Sequence, residues 1–185
     1  MGEAPLVGDE RQEDYDSFFA AVTSKLAQPD IIDELYVKDV VDLSWQIRRE
    51  RLILAEIIRL HQREVVLGLL KTKHSERDGL PDTRNAMYQI LGADRDAQRW
   101  LGDPTARAKI DADLKTQGYS PSTVLAQAYL NAAAEIDKVE QRIASYEARR
   151  MMALREIEHR SENSARQVER ATSAIIDGEF REAAE

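Results

Sequence analysis

The side chains that could bind a metal ion are the first candidates for chemistry in this sequence. There are three histidines and no cysteine, which excludes disulfides and thiolate metal sites. Glu156 and His159 form a Glu-x-x-His step, a spacing that places a carboxylate and an imidazole on one helix face in di-iron bundles. Such a site needs a second step and two further glutamates, and no second Glu-x-x-His occurs. We therefore predict no metal site.

His61 and the glycines offer little further chemistry. His61 follows Ile57 by four residues and so approaches an apolar helix seam, which is more typical of a core histidine than of a pH-sensitive interface residue. The sequence contains no glycine-rich phosphate loop, no Gly-x-Ser-x-Gly elbow and no dinucleotide fingerprint. We predict no catalytic residue, no cofactor and a protein that is not an enzyme.

Arginines are concentrated near the C-terminal end, where seven lie between positions 142 and 170 against five acidic residues. Arg149, Arg150, Arg155 and Arg160 are the candidates for contacts to nucleic-acid phosphates along a helix. The competing interpretation is a solvated helix face with ion pairs. A nucleic-acid-associated protein of a bacterial mobile or regulatory system is therefore the alternative function, and it is not the favoured one.

The charge distribution works against general nucleic-acid affinity. The chain has a net charge of -8, and residues 1–45 hold 11 acidic and three basic residues, so the remaining 140 residues are neutral. Nucleic-acid binding needs a basic surface, and an acidic N-terminal segment would mask a local basic patch rather than add to it.

Helical periodicity dominates the rest of the chain. Asp30 precedes a long amphipathic stretch with two adjacent apolar stripes, of which the second comprises Ile53, Ile57, Leu60 and Leu67. Ser120 and Pro121 mark the start of another, which has no further proline and no glycine up to Ile176. Apolar residues recur along it at steps of three and four: Leu125, Tyr129, Ala132, Ile136, Val139, Ile143, Tyr146, Leu154 and Ile157. Glu158–Gln167 lacks large apolar residues and is expected to project from the bundle.

These patterns predict an all-α fold of two long antiparallel helices, in a coiled-coil-like hairpin or bundle, with a small helical insert and an N-terminal capping helix. The insert is expected to hold three short helices, the first ended by Gly92 and the third capped by Asp103. The predicted segments are an acidic N-terminal segment with a short amphipathic helix (1–29), long helix 1 (30–73), the insert (74–119), long helix 2 (120–177) and an acidic tail (178–185).

Two apolar stripes on one helix are wider than a single neighbour can cover. The favoured function is therefore a non-enzymatic interaction or scaffold protein, acting as a homodimer and binding an unknown protein partner. The N-terminal residues predict no secretory signal and no segment predicts a membrane span, so a cytoplasmic location is expected. The predicted helix-packing residues are Ile47, Leu54, Ile57, Ile58, Ile136, Val139, Ile143, Tyr146, Leu154 and Ile157.

Three segments also carry a resemblance to known proteins. Glu147–Arg160, Asp39–Ile47 and the Glu179-Phe180 ending resemble a group of uncharacterised helical proteins from alphaproteobacteria. The resemblance covers most of residues 30–182. It implies a bacterial source, and no activity comes with it.

Overall fold

A computed structural model describes residues 4–26, 30–78, 83–160, 168–170, 172–173 and 176. The predicted tail, 178–185, and most of the predicted projecting stretch lie outside the described residues. The regular structure of the described part is helical, with no strand, so the all-α prediction is confirmed. The helices are α1 (Gln12–Thr23), α2 (Ile31–Asp78), α3 (Thr83–Gly102), α4 (Pro104–Thr116), α5 (Pro121–Asn131) and α6 (Ala133–Arg160). Residues 168–170, 172–173 and 176 are also helical.

Three helix starts follow from side-chain caps that the sequence predicts. Asp30 Oδ1 accepts hydrogen bonds from the backbone N–H groups of Ile32 and Asp33, each at 2.9 Å. Asp103 caps α4 in the same manner, and Ser120 Oγ accepts from the backbone N–H of Thr123 at 3.1 Å. Each cap satisfies backbone donors that the first helical turn leaves without partners.

The chain forms two compact units, Met1–Ile53 with Lys138–Glu185 and Leu54–Asp137. In the first unit, one face of α1 contributes Tyr15, Phe18 and Val22 to the core. These side chains pack with residues from the first half of α2 and the second half of α6. The buried cluster contains Tyr15, Phe18, Val22, Val37, Val40, Val41, Trp45, Ala153, Leu154, Ile157 and Val168.

Ion pairs in the first unit set the direction of α6 relative to α2. Glu50 accepts hydrogen bonds from Arg142 Nε and Nη2, both at 2.8 Å, while Asp33 accepts from Arg160 Nε at 2.7 Å. The α6 residue with the higher number therefore pairs with the α2 residue with the lower number. These parts of the two helices are antiparallel.

The second unit has its own core, built from the second half of α2, α3, α4 and α5. Trp100 is its largest fully buried side chain, and its indole N–H donates to Asp111 Oδ1 at 2.7 Å. The Arg107 guanidinium lies 4.5 Å from the Trp100 ring centroid, a favourable cation–π geometry. The buried cluster comprises Val66, Leu70, Ala93, Ala97, Trp100, Leu114 and Val124.

The predicted division of the insert into three short helices is wrong, because α3 continues through Gly92. Glycine costs about 1 kcal/mol in a helix interior, but nothing requires it to end one. Ala93 directly follows Gly92, and Ala97 and Trp100 follow Ala93 at steps of four and three. All three are buried in the second core. Burial of that face outweighs the local cost, and no glycine of α3 has a positive φ.

The second long helix is also not continuous as predicted, because α5 and α6 are separated at Ala132, whose φ is -95° and ψ 6°. The buried face of α5 also differs from the predicted one. Leu125 and Tyr129, predicted on the apolar face, are exposed, whereas Val124 and Ala128 are buried. No proline or glycine lies at Ala132, so the sequence carries no signal for the break between α5 and α6.

The described residues 168–170, 172–173 and 176 do not extend α6 as the sequence predicts, because Thr172 contacts α6 at Arg150. Arg150 Nη1 donates to Thr172 Oγ1 at 2.9 Å, 22 residues away. In a continuous helix these residues would be about 33 Å apart at 1.5 Å per residue. Val168, Thr172 and Ile176 are buried, so these residues belong to the first unit.

No helix in the described ranges is both long enough and apolar enough to cross a membrane. Although α2 has 48 residues, charged side chains such as Glu56, Arg59 and Arg63 interrupt its most apolar segment.

The first core predicts a clear contrast between two substitutions on α6. Ile157 is 1% exposed, so Ile157→Ala should lower the free energy of unfolding by about 3 kcal/mol, through lost apolar burial and a cavity. Met152 is 65% exposed on the same helix, and Met152→Ala should change it by less than about 0.5 kcal/mol. Urea denaturation followed by circular dichroism measures both, and equal effects would contradict the assigned core.

Candidate functional site

The histidines do not form a metal site in the part of the chain that the structure describes. His61 Nδ1 lies 3.0 Å from the backbone carbonyl of Ile57, one turn earlier in α2. Glu156 and His159 are both exposed on α6. No group of three or more histidine, aspartate or glutamate side chains with metal-binding geometry occurs among the described residues.

The four candidate arginines do not share one exposed surface. Arg150 is half-buried and bonded to Thr172, and Arg160 is held by two aspartates. Arg149 and Arg155 are exposed. They are six residues apart, so they point about 120° away from each other around a helix of 3.6 residues per turn. A continuous row of four phosphate contacts is therefore not present in this arrangement.

Arg160 links the end of α6 to the beginning of α2. Its Nε donates to Asp33 Oδ1 at 2.7 Å and its Nη2 donates to Asp30. The pKa of Asp30 is lowered, first by the backbone hydrogen bond from Asp33, then by that from Ile32 and by the Arg160 charge. The acidic N-terminal part of the sequence thus supplies partners to Arg160, one of the four candidates for contacts to nucleic-acid phosphates.

Glu10 accepts four hydrogen bonds from three residues of the first unit. Its carboxylate accepts hydrogen bonds from Trp45 Nε1 at 3.0 Å, from Arg49 Nε at 2.7 Å and Nη2 at 2.6 Å, and from the Val7 backbone N–H at 2.9 Å. Arg49 Nη2 also donates to the carbonyl of Pro5. Bidentate arginine–carboxylate contacts of this kind are strong and directional. We call residues 4–10, held on α2 by these contacts, the N-terminal clasp.

Electrostatics favour the ionised form of Glu10. Burial raises its pKa, but the hydrogen bonds from Arg49, Trp45 and Val7, together with the Arg49 charge, outweigh burial and lower the pKa below its usual 4.5. The same contacts raise the pKa of Arg49. The pair is therefore charged on both sides at neutral pH, and its hydrogen bonds are charge-assisted.

The predicted helix-packing residues divide into two groups by burial. Ile47, Ile136, Val139, Leu154 and Ile157 are buried, whereas Leu54, Ile57, Ile58, Ile143 and Tyr146 are half-buried. Between Glu50 and Val66 no side chain of α2 is buried. The second apolar stripe of α2 is the one left open: Leu60 is 46% exposed, Ile53 is also exposed, and Ile57 and Leu67 are half-buried.

Sequence reasoning missed the clasp and the Glu50–Arg142 pair. Glu10 and Trp45 are 35 residues apart, and Glu50 and Arg142 are 92 apart. Helical periodicity reports only neighbours three and four residues away. The available signal was Trp45 itself, whose indole N–H requires a hydrogen-bond partner when it is buried.

No family of proteins matches the chain, and comparisons with curated proteins and with solved structures likewise find no match.

The lowered pKa of Glu10 gives the clasp a defined pH dependence. Since the folded chain releases this proton at lower pH than the unfolded chain, the clasp stabilises the fold fully above the usual pKa of 4.5 and loses this contribution as pH falls through the folded value. Glu10→Gln should lower the free energy of unfolding by about 1 kcal/mol at pH 7. The difference from the wild type should shrink between about pH 5 and about pH 3.

Urea denaturation at a series of pH values measures this difference. Glu13→Gln, an exposed carboxylate on α1, is the matched control and should behave as the wild type. A Glu10→Gln effect that is equally large at pH 3 would show that the carboxylate is not held in its ionised form.

The arginine positions limit binding to duplex DNA. Four phosphate contacts would give a slope of log affinity against log salt of about 3.6, but the two exposed arginines account for only about 1.8. We expect no measurable binding of random duplex DNA at about 0.15 M salt, and at lower salt a slope no steeper than 1.8. Fluorescence anisotropy measures both.

The double variant Arg149→Ala, Arg155→Ala should remove any residual salt dependence, while Lys109→Ala, Lys115→Ala on α4 is a control with the same charge change. A wild-type slope near 3.6 would mean that Arg150 and Arg160 leave their protein partners to bind phosphates, contrary to this assignment.

Proposed function

We propose that the protein is a non-enzymatic helical interaction or scaffold protein that works as a homodimer. The dimer forms through Ile57, Leu60 and Leu67 of α2, which we call the α2 stripe. These residues are spaced by three and seven, so they lie along one helix face. Leu60 is 46% exposed and its two neighbours on the stripe are half-buried. This open apolar face is the observation that carries the proposal.

An isolated exposed leucine needs no explanation, since monomeric proteins expose many apolar atoms. A row of large apolar side chains at helical spacing is a different feature, because a second helix can cover all of them at once. Covering them removes apolar surface from water at about 25 cal/mol per Å². The second unit therefore has a surface that gains free energy from a helical partner.

The charges beside the α2 stripe favour a second copy of the chain as that partner. Glu56 and Arg59 flank the α2 stripe, are about half exposed, and are paired within the helix at 3.0 Å. When two copies of α2 pack antiparallel about an axis between Ile57 and Ile58, Glu56 of each lies opposite Arg59 of the other. The same axis places Leu60 opposite Ala55. Exposed pairs within a helix contribute little, so exchanging partners costs little.

Further apolar side chains of the second unit would serve a different protein partner. Exposed residues on α3 and α5 occur in groups of three: Met87, Ile90 and Leu91, and Leu125, Tyr129 and Leu130. A dimer that carries two copies of each group would present them on rigid helices. Several binding surfaces on one rigid assembly are expected of a scaffold. A partner that binds two of them at once is bound more tightly, because its second contact is intramolecular.

The homodimer is tested by light scattering of the full chain. The wild type should have a mass of about 42 kDa at micromolar concentration, twice the 21.0 kDa of one chain. Leu60→Glu should give a folded monomer of about 21 kDa, because a charge is placed in the apolar interface but not in the core. Met152→Glu, on a more exposed apolar residue of α6, should remain a dimer.

Two outcomes would contradict the proposal. A monomeric wild type across the concentration range would remove the homodimer. A Leu60→Glu variant that stays dimeric, with unchanged circular dichroism, would move the interface to another surface.

A further inference from the structure

The N-terminal clasp has the arrangement of a peptide bound to a helical surface. Residues 4–10 precede α1 and contain no helical residue. Ala4 and Leu6 are partly buried against the first core, and Glu10 binds Trp45 and Arg49. Gly8, between these two anchors, has a φ of +63°, which favours glycine and turns the chain so that both reach α2.

The receiving surface on α2 recognises distinct features of this segment. Arg49 presents Nε and Nη2 as a fork to the carboxylate, and the Trp45 indole N–H adds a third donor to the same group. Arg49 also donates to the Pro5 carbonyl, so it binds the backbone of the segment as well as the Glu10 side chain. Directional contacts to one carboxylate, together with an apolar contact, are how acidic peptide motifs are recognised.

The clasp can leave α2 without unfolding the first unit. The helix that follows it, α1, is anchored by Tyr15, Phe18 and Val22, which are buried in the core with residues of α2 and α6. Val7 and the two residues after it are exposed, and the clasp buries no large side chain fully. Segments with few buried contacts open at much lower free energy than the core does.

We propose that Trp45 and Arg49 form a binding site for short acidic peptide segments, occupied in this structure by residues 4–10 of the same chain. The ligand has an apolar side chain, a glycine turn and a carboxylate four residues after the apolar side chain. Such a segment from another chain takes the site when the clasp opens. Because a short tether gives an effective concentration on the order of millimolar, the closed clasp excludes a free peptide at micromolar concentration.

The test uses the full-length chain and a fluorescent peptide with the sequence of residues 4–11. Glu10→Lys opens the clasp, because the new charge repels Arg49. Fluorescence anisotropy should then show binding at least tenfold tighter than to the wild type. The peptide carrying Glu10→Gln should bind at least tenfold more weakly than the native peptide. Adding Arg49→Gln to the Glu10→Lys chain should abolish binding.

Glu13→Lys is the matched control, with the same charge change on an exposed α1 residue, and should behave as the wild type. The Trp45 indole N–H resonance in NMR spectra reports the state of the site independently. It should shift in Glu10→Lys and return toward its wild-type position when peptide is added. Circular dichroism checks folding, and Glu10→Gln replaces Glu10→Lys if the latter does not fold.

The proposal is overturned if the Trp45 resonance shows an open clasp and the peptide still does not bind at 1 mM, about the effective concentration of the tethered clasp. Equal binding to the Glu10→Lys and Glu13→Lys chains would overturn it as well, because the peptide would then bind elsewhere. These results do not depend on the homodimer, so either proposal can fail without the other.

Discussion

Helix α2 carries apolar side chains over a wider arc than one neighbouring helix can cover, and each unit is built on a different part of it. Val37, Val40, Val41 and Trp45 are buried in the core that α1 and α6 complete. Val66 and Leu70 are buried in the core that α3, α4 and α5 complete. The residues of α2 between Glu50 and Val66 are not buried. Ile57 and Leu60 of the α2 stripe lie in this uncovered part, so the proposed self-association surface follows from the same constraint that organises both cores.

The acidic residues near the N-terminus have a structural purpose that their net charge does not reveal. Glu10 binds Arg49, Asp30 and Asp33 bind Arg160, and Asp42 binds Lys38 and accepts from the Tyr15 hydroxyl. Burial and the neighbouring Asp42 both raise the pKa of Tyr15, which remains a neutral donor. Part of the charge that would act at long range on nucleic acid is thus committed to short-range contacts within the first unit.

The two proposed surfaces use different physics. The α2 stripe offers apolar area, which gives free energy without strong orientation, so the flanking Glu56 and Arg59 must select the antiparallel partner. The site at Trp45 and Arg49 offers little area but three donors to one carboxylate, which gives specificity for an acidic segment. A scaffold protein can use both, because area stabilises an assembly and directional polar contacts select what is added to it.

The sequence by itself determined the helical class, the caps at Asp30, Asp103 and Ser120, and the presence of a second apolar stripe on α2. Each of these depends on residues within a few positions of one another, where side-chain spacing and backbone hydrogen bonding act directly. Tertiary structure decided that α3 continues through Gly92, because burial of Ala93 and Trp100 outweighs a local propensity. It also decided which face of α5 is buried, and it placed Val168 and Thr172 beside α6. The clasp is also decided by tertiary structure. Glu10 contacts Arg49, 39 positions away, only when packing of α1 on α2 brings their side-chain atoms within 3 Å of each other. No local sequence pattern encodes that contact.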